Sequence, residues 1–313
     1  NLSPEHREIL ARHLASLLPA EDRRRASEGR RAERTRGLYL RNPIAFAKDC
    51  LRWPPGQWLT PYQEEVLAEL PRRGRVAVIG PRGLGKSFTA AIAVIWWSVT
   101  RDGWIDWKAV ATAGGQRQLE KFLFPEVLMV ARRVRWDKLG RPPWRPGQEL
   151  MKMSIVGETG AAFGAVSSRP DLIEGAHASH VAVVIDEAKV VPPAVFDSLE
   201  GVLSNAGTRG REALTLVIST PGRREGRLFE IFDNRDGQHS SWWTRHVRID
   251  EVLAAEMVSE TWVRQRASEW GSDSALYRSQ VLGEFCDEDE HGIIPSDWVL
   301  SAQERSEPEP WEV

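Results

Sequence analysis

Short, unbroken apolar runs alternate along the chain with longer segments in which apolar residues recur at helical spacing. The apolar runs are typical of strands that are covered on both faces, and the longer segments are typical of the helices that cover them. The predicted strands span residues 75–80, 108–113, 181–186 and 214–220, and the predicted helices span residues 3–18, 61–70, 86–99 and 116–132. Because strands and helices alternate, the pattern predicts an α/β fold with a mostly parallel central sheet flanked by helices, plus a helical N-terminal extension.

The composition fits a folded domain of this kind and excludes several other classes. The 313 residues suffice for one large domain with extensions or for two domains. No apolar run approaches the roughly 18–20 residues that a membrane-spanning helix needs, and the first residues lack a signal-peptide pattern. Two cysteines, Cys50 and Cys286, form neither a disulfide framework nor a zinc cluster, so the chain is expected in a reducing compartment.

Charge is distributed unevenly, although the formal net charge is only −2. Residues 1–41 contain ten Arg and six acidic residues, whereas residues 284–313 contain ten acidic residues and one Arg. We therefore predict three parts: a basic helical arm or linker over 1–41, a domain over 42–285 and an acidic linker over 286–313. The stretch 21–36 is either a charged, solvated helix face or a contact for DNA or another partner.

A complete phosphate-binding motif, G-x-x-x-x-G-K-[ST], lies between a predicted strand and a predicted helix. Its residues are Gly80, Pro81, Arg82, Gly83, Leu84, Gly85, Lys86 and Ser87. Glycines let the backbone wrap a phosphate, and consecutive N–H groups at the start of a helix attract its charge. In such a loop Lys86 reaches the β- and γ-phosphates, and the Ser87 hydroxyl joins the Mg²⁺ shell. The motif therefore predicts a site for ATP and Mg²⁺.

Two adjacent acids, Asp186 and Glu187, end and follow the third of the apolar runs. The carboxyl ends of parallel strands meet at one edge of a sheet, where ligands bind in open α/β folds. Asp186 is predicted to hold Mg²⁺, directly or through a water molecule, and Glu187 is predicted to polarise the attacking water. The alternative is that the two acids only cap the next helix. Together with the phosphate-binding loop, they favour hydrolysis of ATP over transfer of its phosphate to another substrate.

These motifs resemble the ATPase domain of phage terminase large subunits, the motors that package DNA into viral capsids. The resemblance covers about residues 40–300 and rests on the segments Thr60–Gln63, Gly80–Ser87, Thr112–Gln118, Asp186–Ala188, Ile218–Gly222 and Tyr277–Phe285. It implies a RecA-like fold of the ASCE class of P-loop NTPases. It also implies that an RNase H-like nuclease domain follows in the whole protein. The adjacent acids at 287–290 cannot converge on one metal ion, so no nuclease activity is expected from this chain.

The resemblance implies roles for individual residues of the site. Gln63 would pair with the adenine edge. Arg82 would sense the phosphates or act as an arginine finger within its own subunit, which makes it catalytic together with Lys86 and Glu187. The alternative for Arg82 is a structural ion pair.

The resemblance also assigns residues that link the site to movement and to neighbouring subunits. Ser219 and Thr220 would couple the state of the nucleotide to movement of the domain. In a ring motor, an arginine finger is expected from a neighbouring subunit. Arg169 is the candidate for this finger, and Arg209 and Arg211 are its rivals.

A packaging motor implies a set of partners and a location. The implied partners are ATP, Mg²⁺, double-stranded DNA, the portal protein, the small terminase subunit and further copies of this chain in a homo-oligomeric ring, a pentamer. The implied location is the host cell cytoplasm, with transient assembly at the procapsid portal. No contact with a membrane is expected.

Two other functions use similar motifs and stay open as alternatives. A DEAD/DEAH-like nucleic-acid helicase has the same order of motifs, but the chain after Thr220 is too short for the second RecA-like domain that a helicase needs. A switch that binds ATP for assembly without hydrolysing it is the less favoured alternative. Such a switch would not require the water-activating carboxylate of Glu187.

Two pairs of adjacent tryptophans are predicted to be structural. Trp96 and Trp97 lie in an apolar helix and are expected in the core. Trp242 and Trp243 are expected to pack on the two faces of a strand, although one of these rings could reach a partner.

Overall fold

The computed structural model describes residues 36–166, 177–204, 208 and 210–287. Its strands are β1 (Arg75–Ile79), β2 (Trp107–Ala113), β3 (Leu150–Met151), β4 (Ser154–Val156), β5 (Gly160–Gly164), β6 (His180–Asp186), β7 (Glu212–Ser219) and β8 (Trp243–His246). Its helices are α1 (Pro43–Cys50), α2 (Pro61–Arg73), α3 (Lys86–Arg101), α4 (Gln116–Gln118), α5 (Phe124–Arg133), α6 (Trp136–Leu139), α7 (Pro193–Leu203), α8 (Gly226–Asp233), α9 (Ile249–Ala254), α10 (Glu260–Trp270) and α11 (Ala275–Tyr277). There are also two π-helical turns, Leu119–Leu123 and Arg278–Leu282, and a 3₁₀ turn, Ala188–Val190. The predicted helix at 3–18 lies outside the described residues.

The described strands form one sheet in the order β3-β4-β5-β2-β6-β7-β1-β8. From β5 to β8 neighbouring strands run parallel, whereas β3, β4 and β5 form an antiparallel edge. Strand β7 lies between β1 and β6, so the strands that lead to the phosphate-binding motif and to the acid pair are not neighbours. The predicted α/β fold with a mostly parallel sheet is confirmed.

Both faces of the sheet are buried. Successive side chains of a strand point to opposite faces, so each buried strand contributes to two apolar clusters. On β6, Ala182 and Val184 belong to one apolar cluster, and Val181, Val183 and Ile185 belong to another. Helix α3 covers the first face and is buried along almost its whole length. Helices α7 and α8 contribute apolar side chains to the second cluster. A strand enclosed in this way reads as an unbroken apolar run, which is why β6 was predictable.

The tryptophan pairs lie where the sequence predicted them. Trp96 and Trp97 in α3 are fully buried. At the start of β8, Trp243 packs against the cluster under α3, and Trp242 packs against the cluster on the opposite face. The two rings therefore cover opposite faces of the sheet at the end of the sheet where β8 lies.

Helix α2 begins at a complete capping box. The Thr60 hydroxyl accepts the backbone N–H of Gln63, and the Gln63 side-chain oxygen accepts the backbone N–H of Thr60 at 3.0 Å. Pro61 occupies the first turn, and the helix ends at Gly74, whose φ angle of 70° is left-handed. These local signals place Gln63 at the start of a helix that leads directly into β1.

The chain is helical throughout the predicted helix over 116–132, but it is not α-helical throughout. It consists of α4, the π-helical turn Leu119–Leu123 and α5. Pro125 has no backbone N–H to donate to the carbonyl group four residues earlier, and the chain widens into a π-helical turn just before it. The predicted helix is therefore present, with a π-helical turn in its middle that the sequence did not predict.

The charge distribution predicted an arm before residue 42 and a linker after residue 285. At least one residue of each nevertheless packs against the domain. Tyr39 is buried, and its carbonyl oxygen accepts the indole N–H of Trp96 at 2.7 Å. Cys286 is buried and forms an isolated bridge with Arg223. The division at residues 41 and 286 stays a prediction, since most of both flanks lies outside the described residues. No helix in the described ranges is both long and apolar enough to cross a membrane.

Asp102, which follows α3, is a buried carboxylate that ties three segments together. It accepts hydrogen bonds from the Trp107 indole at 3.1 Å, the Thr159 backbone at 3.0 Å and the Arg141 guanidinium at 2.6 Å. Burial alone would raise the pKa of Asp102, but these donors outweigh it and hold the pKa below its ordinary value. The charged form is therefore the one that the fold stabilises.

An Asp102→Asn variant is expected to unfold more easily, because the neutral amide replaces the partner of Arg141 and cannot accept all three hydrogen bonds. The free energy of unfolding should fall by about 2–3 kcal/mol, measured by urea denaturation at neutral pH. Because the folded-state pKa is depressed, the wild type should lose this contribution only as the pH falls below about 4. Glu149→Gln, in the exposed pair with Arg145, is the control. An equal loss in both variants would contradict the role given to Asp102.

Candidate active site

The phosphate-binding loop connects the carboxyl end of β1 to the first turn of α3. Gly83 and Gly85 have φ angles of 85° and 82°, which glycine adopts without strain. Helix α3 begins at Lys86, so its first backbone N–H groups, which have no partner within the helix, belong to the loop. Such an arrangement binds an anion through the backbone and the helix dipole together.

Lys86 is folded back into this loop. Its ammonium group donates to the carbonyl oxygen of Pro81 at 3.0 Å, and the residue is only 9% exposed. Burial lowers the pKa of Lys86, while the carboxylates of Glu187 and Asp186 favour its charged form. The carboxylates of the protein balance the positive charge of this buried ammonium only in part. A bound phosphate group would supply the rest of the negative charge.

Ser87 and Asp186 meet across the sheet edge. The Ser87 hydroxyl donates to the Asp186 carboxylate at 3.0 Å, although the two residues come from α3 and β6. Asp186 is 5% exposed, and burial, with the charge of Glu187, raises its pKa to about 6. A hydroxyl and a carboxylate in contact are the hard oxygen donors that Mg²⁺ takes beside a nucleotide, where phosphate oxygens and waters complete the shell. The residues present therefore fit the predicted cation.

Glu187 has an unusual backbone conformation. Its φ angle is 50°, which is uncommon for a residue other than glycine and is often found where a side chain has a functional task. The turn directs its backbone N–H to the Asp186 carboxylate at 3.0 Å, and its own carboxylate accepts the Thr220 hydroxyl at 3.3 Å. Glu187 does not cap the 3₁₀ turn that follows with its side chain. The observed contacts therefore favour the catalytic prediction over a helix cap.

The carboxyl end of β7 lies between the loop and the acid pair. The Ser219 carbonyl accepts the backbone N–H of Gly80 at 3.3 Å, and the Ser219 hydroxyl accepts the backbone N–H of Lys189 at 3.2 Å. The next residue, Thr220, holds Glu187. The end of β7 is therefore hydrogen-bonded to both halves of the site. The coupling role of Ser219 and Thr220 stays a prediction.

Comparisons with known proteins fit this geometry. No family model matches the chain. A curated protein from Enterobacteria phage P7, named "Probable terminase, large subunit", is 24% identical over 281 residues, which are 86% of this chain and 53% of that protein. The chain thus spans about half the length of this relative.

Solved structures show the same architecture. The large terminase ATPase domain of Thermus phage P74-26 matches with a TM-score of 0.54 and 20% identity over 75% of this chain and 95% of that one. The chain has the fold of a phage large-terminase ATPase domain. A large terminase of a thermophilic bacteriophage, solved in complex with ADP, matches with a TM-score of 0.54 and 15% identity over 73% of this chain and 54% of that one. The resemblance predicted from the motifs is confirmed.

Within this terminase ATPase fold, Gln63 connects the start of α2 to the phosphate-binding loop. It is 3% exposed, its side-chain oxygen accepts the backbone N–H of Thr60, and its amide nitrogen donates to the Gly85 carbonyl at 3.4 Å. A Cβ on Gly85 would lie 2.5 Å from that nitrogen and would displace the Gln63 amide, and the φ angle of 82° also favours glycine here. The predicted contact of Gln63 with adenine stays a prediction.

Arg82 is exposed at the outer side of the loop. Among the described residues it forms no ion pair, so the structural alternative is not observed there. Its backbone N–H donates to the Gln280 carbonyl at 2.9 Å. Arg169 and Arg209 lie outside the described residues, and Arg211 directly precedes β7, at the amino end of the strand. The finger from a neighbouring subunit therefore stays a prediction.

One turn beside the loop was missed by sequence reasoning. A Cβ on Gly83 would lie 2.6 Å from Cγ1 of Val258, and one on Gly85 would lie 3.4 Å from Cε of Met257. Both side chains belong to the turn between α9 and α10, where Glu256 has a left-handed φ angle of 54°. No motif marks this turn, because its position against the loop results from tertiary packing alone.

Proposed function

We propose that this chain is the ATP-hydrolysing motor domain of a phage large terminase, which translocates double-stranded DNA into a procapsid. One observation carries the proposal: four functional groups lie together at one edge of the sheet. They are Lys86, the hydrogen-bonded pair of Ser87 and Asp186, and Glu187, whose carboxylate accepts the Thr220 hydroxyl. Each of these groups has a task in the transfer of a phosphoryl group to water. The terminase relatives and the ADP-bound neighbour support this function.

In the proposed site, the chain first binds and positions the nucleotide. The loop backbone and Lys86 hold the β- and γ-phosphates, and the positive end of α3 adds to their attraction. Ser87 and Asp186 hold Mg²⁺, which neutralises phosphate charge when it is bound. Gln63, already in contact with Gly85, is proposed to pair with the adenine edge.

Hydrolysis is proposed to depend on Glu187. Its carboxylate polarises the attacking water and accepts its proton, while the hydrogen bond from Thr220 keeps the carboxylate oriented. Arg82, always charged, stabilises charge that develops on the γ-phosphate. Loss of the γ-phosphate then changes the contacts of Glu187 and, through Thr220 and Ser219, the end of β7. We propose that this change couples hydrolysis to movement of the domain.

The proposed partners follow from a packaging motor. They are double-stranded DNA, the portal protein, the small terminase subunit and other copies of this chain in a ring, with five copies as the proposed number. The proposed location is the host cytoplasm, with transient assembly at the procapsid portal. Contacts with DNA phosphates would be strongly salt-dependent, which suits a motor that must release its track at each step.

The test is ATP hydrolysis by the chain with double-stranded DNA, with and without the portal protein, and with an RNA duplex as the control. We expect DNA to stimulate hydrolysis severalfold and the RNA duplex to leave it near the basal rate. Separation of duplex strands, followed with a labelled strand, should not occur. Stimulation by RNA with strand separation would instead support a helicase, and nucleotide binding without any hydrolysis would support an assembly switch.

A further inference from the structure

The segment 278–286, which we name the C-terminal strap, is buried or partly buried along its whole length, although it lies near the end of the described residues. Ser279, Gln280 and Val281 are at most 1% exposed, and Cys286 is 2% exposed. Its first half is the π-helical turn after α11, and π-helical turns recur at functional positions. The proposed reaction has so far given this strap no task.

One side of the strap contacts the backbone of the phosphate-binding loop. The carbonyl of Gln280 accepts the backbone N–H of Arg82 at 2.9 Å. Gly283 has a φ angle of 71°, and a Cβ there would lie 2.8 Å from the backbone atoms of Gly80 and Pro81. The strap and the loop thus touch backbone to backbone, and no flexible side chain lies between them that could move to make room for a larger residue.

The other side of the strap is bonded to the chain that follows β7. The Ser279 hydroxyl donates to the carbonyl of Pro221. The backbone N–H of Cys286 donates to the Gly222 carbonyl at 3.1 Å, and the Arg224 backbone N–H donates to the Cys286 carbonyl at 3.0 Å. One short segment therefore joins the phosphate-binding loop to the residues next to Thr220.

We propose that the strap sets the position of the phosphate-binding loop, with Gly283 and Gln280 as positioning residues for nucleotide binding. The inference rests on the proposed function, since it assumes that the loop binds ATP. A glycine-rich loop has little side-chain packing of its own, yet it must hold its backbone N–H groups in place to receive phosphate. The strap supplies part of that support, through backbone contacts with Gly80, Pro81 and Arg82. Because binding linkage is reciprocal, a nucleotide that needs the ordered loop also stabilises the strap.

The decisive comparison is Gly283→Ala against Gly271→Ala. Both glycines have positive φ angles: Gly283 (φ 71°, ψ 34°) is in the αL region, and Gly271 (φ 80°, ψ 131°) is in a region where alanine is strained even more. A larger effect in Gly283→Ala therefore cannot come from backbone strain alone. A Cβ on Gly271 meets no atom within 4 Å, whereas one on Gly283 collides with the loop. The pair therefore separates the contact from the strain.

Two readouts are needed. Without nucleotide, hydrogen exchange of the Arg82 amide should be faster in Gly283→Ala than in Gly271→Ala, because its bond to Gln280 is disturbed. With nucleotide, titration of a fluorescent ATP analogue should show binding weakened about ten- to hundredfold in Gly283→Ala, the loss expected when one charge-assisted hydrogen bond to a phosphate is disrupted. Its KM should rise more than its kcat falls, and Gly271→Ala should resemble the wild type in both readouts.

Equal exchange and equal nucleotide affinity in the two variants would overturn the proposal. If Gly283→Ala does not fold, the wild type decides: ADP should slow exchange of the Arg224 and Cys286 amides, and protection confined to residues 80–87 would reject the strap. If the wild type binds no nucleotide, the proposed function fails. In that case the exchange of Arg82 in the nucleotide-free variants still shows whether the strap positions the loop.

Discussion

A Glu187→Gln variant is expected to bind ATP as tightly as the wild type and to hydrolyse it about 10²–10⁴-fold more slowly. Glutamine has nearly the same shape, and its amide oxygen can still accept the hydroxyl of Thr220, now 3.3 Å from the carboxylate. It cannot accept a proton from water at neutral pH. Single-turnover hydrolysis and equilibrium titration with ATP would measure the two effects separately.

Glu225→Gln is the matched control for this experiment. Its carboxylate is 68% exposed and forms only a loose pair with Arg223 at 3.5 Å, so hydrolysis should stay at the wild-type rate. Loss of both binding and hydrolysis in Glu187→Gln would show that the carboxylate has a structural task. Unchanged hydrolysis would remove Glu187 from the reaction.

Lys86→Ala is expected to weaken ATP binding strongly and to remove most of the hydrolysis. Lysine lies inside the loop, and charge-assisted hydrogen bonds to phosphate contribute about 1.5–3 kcal/mol each, which corresponds to roughly a ten- to hundredfold loss of affinity. Hydrolysis should fall further, because the charge that stabilises the departing phosphate is also gone. Titration with a fluorescent ATP analogue and a phosphate-release assay would measure both.

The same variant should not destabilise the free protein. Burial lowers the pKa of Lys86, which means that the fold disfavours its charge when no phosphate is present. The variant also loses the hydrogen bond from Lys86 to the Pro81 carbonyl. The two effects oppose each other, so thermal unfolding without nucleotide should occur close to the wild-type temperature. Lys152→Ala, at an exposed pair with Glu120, is the control and should change neither binding nor hydrolysis. Wild-type ATPase activity in Lys86→Ala would falsify the assigned site.

The parts of the fold that could be predicted are those whose signals are local. Strands β1, β2, β6 and β7 are apolar runs because both of their faces are covered. The strand at Trp242 and Trp243 was expected from the two rings, but its bounds were not, because the rest of β8 is polar and no residue of it is fully buried. The antiparallel edge was missed because β3 and β4 have two and three residues, too few for a period to show. Strand order also has no local signal, so the place of β7 between β1 and β6 had to come from the structure.

The site divides in the same way. The loop and the acid pair were predictable because their chemistry requires adjacent residues in a fixed order. The left-handed backbone of Glu187 was not predictable, since it is imposed by the bonds to Asp186 and Thr220. Nor was the contact between Gly283 and Gly80, which joins residues that are far apart in the chain. A glycine in the strap is visible in the sequence, but the backbone that it touches is not.

Strand β1, which leads into the phosphate-binding loop, has both of its sheet neighbours later in the chain. It pairs with β7 through residues 215–219 and with β8 through residues 243–246. As the protein is synthesised, β1 leaves the ribosome long before these strands do, and until then both of its edges are unpaired. The strap follows later still. A nascent chain can therefore complete its nucleotide site only near the end of the synthesis of this domain, when residue 286 has emerged.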